Sequence, residues 1–144
     1  MRSNLALGVP YNPVPWLRPI LSLTYVTNTG AAFGIFPRLG SSYILVYLIV
    51  IGVILVSYRT LAADSRWLQL GFGMQLAGAL GNLLDRLRMA GRVTDFVDLN
   101  FWPLQDWPVF NIADSSVVVG VCIMAAYLLL EAPVKPSDHE PDNL

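Results

Sequence analysis

Fifteen consecutive residues, Tyr43 to Ser57 (YILVYLIVIGVILVS), carry no charge and no polar stripe at helical spacing. A helix on the surface of a water-soluble bundle needs such a stripe, because one side of it faces water. This run therefore asks for surroundings that are apolar on every side. Two further stretches are free of charge, so that three candidate spans emerge: Leu39 to Tyr58, Trp67 to Leu84 and Ser115 to Leu130, of 20, 18 and 16 residues. A helix needs roughly 20 residues to cross the hydrocarbon core, so the first fits and the other two must take in flanking residues. The flanks are Asp85 and Arg86 for the second and Asp114 for the third. Ionisable groups at a membrane boundary mark a functional site.

Composition agrees: 55% of residues are hydrophobic and 13% charged, too few charges to cover a globule of this size in water. At 144 residues the chain reads as one membrane-embedded domain, 1–144, with a polar tail at 133–144. A net charge of -1 without a basic stripe gives no reason to expect a nucleic-acid partner. Cys122, the lone cysteine, lies in an apolar run and His139, the lone histidine, in the tail, so neither a disulfide nor a zinc site is expected. No amino-terminal segment has the pattern of a cleavable signal.

Charge sets the expected orientation. The link Arg59 to Arg66 and the tail with Lys135 read as cytoplasmic, which turns the head and the link between the second and third spans outward. Arginines 2, 18, 38, 86, 88 and 92 on the outward side run against that rule. Three spans also leave a long head to be exported with no apolar segment before it, and a first span missing ahead of the sequence would repair the topology. The outward segments Leu21 to Thr27 and Val93 to Phe101, rich in β-branched and aromatic residues, predict short strands packed as a small sheet. Trp102 and Trp107 suit the headgroup layer.

Asp85, Asp95, Asp98, Asp106 and Asp114 all fall between the second span and the start of the third, with no lysine, histidine or usable cysteine among them. Ser115 and Ser116 lack a base, which disfavours a serine nucleophile. Two carboxylates held close share a proton, and one then activates water while the other protonates or polarises the scissile carbonyl. Asp95 lies among apolar side chains on an expected strand. Asp114 opens the third span, where the helix dipole favours a charged acid, while apolar surroundings favour a protonated partner. Capping of its own helix is the plainer role for Asp114.

Four blocks appear in order: Asn28-Thr29-Gly30-Ala31-Ala32-Phe33, Gly81-Asn82-Leu83-Leu84-Asp85-Arg86, Val93-Thr94-Asp95-Phe96 and Phe110-Asn111-Ile112-Ala113-Asp114-Ser115. Together they resemble the signature blocks of lipoprotein signal peptidase, also called signal peptidase II, over about Pro19 to Glu131. The resemblance implies a membrane all-α fold, a helical bundle with three spans visible here and four in the family, under a small extracytoplasmic β-cradle. It implies an aspartic endopeptidase of the bacterial cytoplasmic membrane, with its active site at the extracytoplasmic face, that cleaves prolipoproteins before a diacylglyceryl-modified cysteine. Asp95 and Asp114, nineteen residues apart, match the family's catalytic pair. Asn28, Gly30, Asn82, Arg86 and Asn111 match positions that line the site and bind substrate, whereas Asp85 reads as a structural partner of a nearby arginine. Membrane lipid and a lipid-modified precursor are the implied partners, with no metal or organic cofactor and a monomeric enzyme. Residues Asn4 to Pro19 look like the loop after the family's first span. A proton or ion relay and an inactive homologue that only packs in the membrane are the rival readings; a relay, however, wants its acids in mid-span.

Overall fold

The computed structural model describes residues 5–30, 42–62 and 65–130. The expected tail at 133–144 and residues 31–33 of the first block lie outside them. The chain runs β1 (Pro10–Tyr11), a short 3-10 turn (Pro15–Leu17), β2 (Leu21–Asn28), α1 (Ser42–Leu61), α2 (Arg66–Arg88), β3 (Val93–Leu99) and α3 (Ile112–Leu130). Each expected span is a helix, but with shifted bounds. The second extends four residues further, to Arg88, and the third starts three residues earlier, at Ile112.

By length and composition, α1 and α3 are long and apolar enough to cross a membrane. Neither is a core helix of the kind found in a soluble protein, for most of their side chains are left uncovered by the rest of the chain. Helix α2 carries Arg66, Asp85, Arg86 and Arg88 and falls short of the same criterion, although it packs against both others. Ser65 starts α2, its hydroxyl accepting from the Leu68 N–H at 3.4 Å. The helix ends where Ala90 and Gly91 take positive φ of 50° and 85° and the Gly91 N–H turns back to the Arg86 carbonyl at 2.8 Å.

Small residues let α2 and α3 approach closely. A Cβ built on Gly78 would lie 2.6 Å from Val117 Cγ2, and one on Gly120 would lie 2.6 Å from the Gly71 carbonyl oxygen. Where lipid removes the hydrophobic drive between helices, such backbone contact is what holds them. It also fixes which residues meet where the end of α2 crosses the start of α3.

The three strands form one antiparallel sheet in the order β1-β2-β3. Strands β2 and β3 begin where the sequence placed them, β2 running one residue further to Asn28 and β3 stopping two earlier at Leu99, while the two-residue β1 was not foreseen. Between Leu23↔Val97 and Val26↔Asp95 the register shifts, so Thr24 and Tyr25 together oppose Phe96. Such a bulge bends the strand and re-aims side chains, and this one adjoins Asp95. Buried polar side chains tie the sheet together: Ser22 donates to Asn12 Oδ1 at 2.9 Å and Thr24 to Asp98 Oδ2 at 2.5 Å.

Candidate active site

Strand β3 and the start of α3 are joined by a short bridge. The N–H groups of Phe96 and Val97 donate to the Phe110 carbonyl at 2.9 and 2.7 Å, and the Phe110 N–H returns to the Val97 carbonyl at 3.1 Å. Asn111, next in the chain, is thereby set beside Asp95. Its side chain caps α3: Asn111 Oδ1 accepts from the Asp114 N–H at 3.0 Å, and Asp114 Oδ2 accepts from the Asn111 N–H at 3.2 Å. This reciprocal arrangement is a capping box. The cap is thus Asn111, and Asp114 stands one turn inside with its second oxygen available.

That oxygen is taken up by α2. Asn82 Nδ2 donates to Asp114 Oδ1 at 2.8 Å, Asn111 Nδ2 donates to Asn82 Oδ1 at 3.0 Å, and the same Nδ2 donates to Asp95 Oδ1 at 2.8 Å. Two amides thus link the two carboxylates in one network drawn from α2, β3 and α3. Asp95 is 2% exposed, whereas Asp114 is only partly covered. Burial pushes the Asp95 carboxyl above the usual carboxylate range, assisted by the negative charge of Asp114. The hydrogen bonds from Asn111 and Asn28 and the charge of Arg86 pull it back in part.

Arg86 is 2% exposed and its guanidinium is largely committed to the chain's own backbone. Nη1 donates to the Gly91 carbonyl at 2.6 Å and Nη2 to the Gly30 carbonyl at 2.5 Å. Its carbon lies 4.5 Å from the centre of the Tyr43 ring and 5.5 Å from that of Tyr47. The carbonyls it pins are therefore those of Gly30 and Gly91, and its charge reaches Asp95 through space. Gly30 is held a second time, its N–H donating to Asn28 Oδ1 at 2.8 Å. Asp85 has a framework role: its Oδ2 accepts from the Thr94 N–H at 2.8 Å and ties the end of α2 to β3 beside Asp95.

Asn28, Asn82, Arg86, Asp95 and Asp114 line one cavity of about 800 Å³. Its walls are mostly apolar, with Val50, Val53 and Ile54 of α1, Val117 and Val118 of α3, and Trp107 and Phe110 among the lining. Gly30 and Asn111 stand just behind the lining. Tyr47 was not singled out from sequence, yet it lines the cavity and its hydroxyl interacts with the side chains of Arg86 and Asn82. The signal available was its spacing of four from Tyr43, which puts both rings on one face of α1 against Arg86.

The family profile described as signal peptidase (SPase) II matches residues 2–130. The chain belongs to the signal peptidase II family. A lipoprotein signal peptidase of Moorella thermoacetica is 44% identical over 85% of this chain and 78% of its own length. One from Geobacter sulfurreducens is 38% identical over 84% of this chain and 76% of its own. A solved bacterial membrane enzyme superposes with a TM-score of 0.80 at 28% identity, covering 99% of this chain and 82% of the other. A second solved bacterial membrane enzyme gives 0.76 at 30% identity over 90% and 80%. As a signal peptidase II family member the chain is a membrane aspartic peptidase.

Proposed function

We propose that Asp95 and Asp114 are the carboxylates with which this signal peptidase II family member removes signal peptides from prolipoproteins, cutting before a diacylglyceryl-modified cysteine. The observation that carries the assignment is the bridge Asp95–Asn111–Asn82–Asp114 at one end of the apolar cavity. Asp95, whose burial favours the protonated form, supplies the acid. Asp114, more open and at the positive end of α3, supplies the base. Water on Asp114 attacks the scissile carbonyl and gives its proton to that carboxylate, while Asp95 donates to the carbonyl oxygen. In the collapse of the resulting tetrahedral species the proton on Asp114 passes to the departing amine, and the carbonyl re-forms as Asp95 recovers its own.

Asn28, Asn82 and Asn111 hold the carboxylates, and Asn28 and Asn82 line the cavity beside the substrate. Arg86 and Gly30 shape the entrance, Arg86 balancing charge. The chain spans the bacterial cytoplasmic membrane with α1, α2 and α3, where α2 crosses because Gln75, Asn82 and Arg86 line the cavity and Arg66 and Arg88 stand at its two ends. The sheet forms a cradle on the extracytoplasmic side, and Trp102 and Trp107 rest among lipid headgroups. The enzyme acts as a monomer, its carboxyl-terminal tail in the cytoplasm. The test is a gel-shift assay on a lipid-modified precursor. Asp95→Asn and Asp114→Asn each abolish cleavage while the protein still accumulates in the membrane; full activity in either variant would falsify the assignment.

A further inference from the structure

Gln75, Ala79, Asn82 and Arg86 recur at spacings of four, three and four along α2, and all four line the cavity. Gln75 stands seven residues from Asn82, about 10 Å further along the helix axis and away from the carboxylates. The apolar walls of the cavity it lines, Val50, Val53 and Ile54 from α1 and Val117 and Val118 from α3, offer no hydrogen-bonding group. Its Nε2 donates to the Met124 sulfur at 3.0 Å, a weak acceptor. Its Oε1 accepts no hydrogen bond among the described residues. An amide left in this state in apolar surroundings costs free energy.

Polar side chains that serve only to hold these helices look different. Ser116 on α3 donates to the Met74 carbonyl at 2.8 Å, and Gln69 Nε2 donates to the Ala62 carbonyl at 3.1 Å. Gln75 makes no such bond. Opposite it stands Gly120, where an added Cβ would come within 3.0 Å of Gln75 Cγ and 3.1 Å of its backbone nitrogen. The glycine leaves the room that this side chain occupies.

We infer that Gln75 is a specificity-determining residue, whose side-chain amide takes a hydrogen bond from a hydroxyl or unpaired N–H of the signal segment lying in this cavity. The inference rests on the peptidase reading above. A span of about 10 Å from Asn82, which holds Asp114, corresponds to about three residues of extended peptide or about seven of helix before the scissile bond. Serine placed at the matching position is therefore favoured over alanine.

The experiment uses the purified enzyme and lipid-modified precursors that carry serine in turn at each position from the third to the eighth before the scissile bond, with an all-alanine parent. The quantity read is the kcat/KM of each serine precursor relative to the parent, measured for the wild type, Gln75→Leu and Gln75→Met. Taking the ratio within each enzyme removes differences in folding or yield. At one position the wild-type ratio exceeds that of both variants by roughly three- to tenfold, the worth of one hydrogen bond. Equal ratios at every position in all three enzymes overturn the inference while leaving the peptidase reading intact. A wild-type enzyme that leaves the parent uncut overturns both.

Discussion

Asn111 and Asp114 grip each other twice, side chain to backbone in both directions, at 3.0 and 3.2 Å. The clasp leaves Asn111 Nδ2 free to serve Asp95 and Asn82 together. One residue thus caps a helix and positions a carboxylate, and substitution separates the two duties. Serine is as good an N-cap as asparagine but has no amide to reach Asp95. Both variants lose the buried amide, but only serine keeps the cap, so Asn111→Ser is expected to be about 1 kcal/mol more stable than Asn111→Ala. Both lose about tenfold or more in kcat/KM, because the bridge between the acids is cut in each. Melting curves and precursor cleavage on the same preparations check this; an Asn111→Ser enzyme with wild-type kinetics rules out the bridging role.

Asp95 lies outside the helical spans and its carboxyl is pushed up by burial. In the unfolded chain an aspartate ionises at its ordinary value, so above that value the folded state must hold a charge it disfavours. The resulting destabilisation is absent below the unfolded value and grows until pH passes the raised folded one. Asparagine avoids it. Asp95→Asn is therefore expected to be inactive yet to melt about 2–5 °C higher than wild type near neutral pH. The gap closes as pH falls through the usual carboxylate range. Melting in detergent at pH 4 and pH 7 decides the point, and a variant less stable than wild type at pH 7 contradicts it.

Tyr47 brings a hydroxyl from α1 to Arg86 and Asn82, and its ring lies beside the guanidinium. Phenylalanine keeps the ring and removes the hydroxyl. Tyr47→Phe is expected to fold normally and to lose about tenfold in kcat/KM, since Asn82 in turn orients Asp114. Tyr43 also stacks on Arg86, with its ring centre 4.5 Å away. A Tyr47→Phe enzyme that cleaves the precursor at the wild-type rate would rule out a role for the hydroxyl and leave only the ring packed against Arg86.

The sequence made the acids conspicuous because a chain poor in charge retains few charges without reason, and it placed β2 and β3 through their β-branched residues. Asp95 and Asp114 could be named because each sits in a recognisable block. Their linkage could not be read in the same way, since it depends on the Phe110 bridge to β3 and on the bulge opposite Phe96, both products of tertiary pairing. Arg86 was expected to line the site and bind substrate. That two of its donors go to Gly30 and Gly91 follows from where the chain turns after α2, which single residues do not announce. Capping was weighed for Asp114, and the competition was settled by Asn111, whose position three residues earlier leaves Asp114 the return half of the box.

The close approach of α2 and α3 sets the distance between Asn82 and Asp114, so the glycine one turn before Asn82 controls the site. At Gly78 an added side chain meets Val117 Cγ2 at 2.6 Å and the Ala113 carbonyl oxygen, which belongs to backbone and cannot swing aside. At Gly73, five residues earlier on the same helix, a Cβ meets nothing within 4 Å. Gly78→Val is therefore expected to push the helices apart, with a loss of roughly 1–3 kcal/mol and a fall in kcat/KM out of proportion to the stability lost. Gly73→Ala relieves the helix of a flexible residue and is expected to be neutral or to stabilise by up to about 1 kcal/mol, with cleavage unchanged. Because the two positions share a helix and a chemistry, a comparison of their melting temperatures and cleavage rates isolates the effect of helix separation. Equal behaviour of the two variants would mean that the spacing of α2 and α3 does not govern the carboxylate pair.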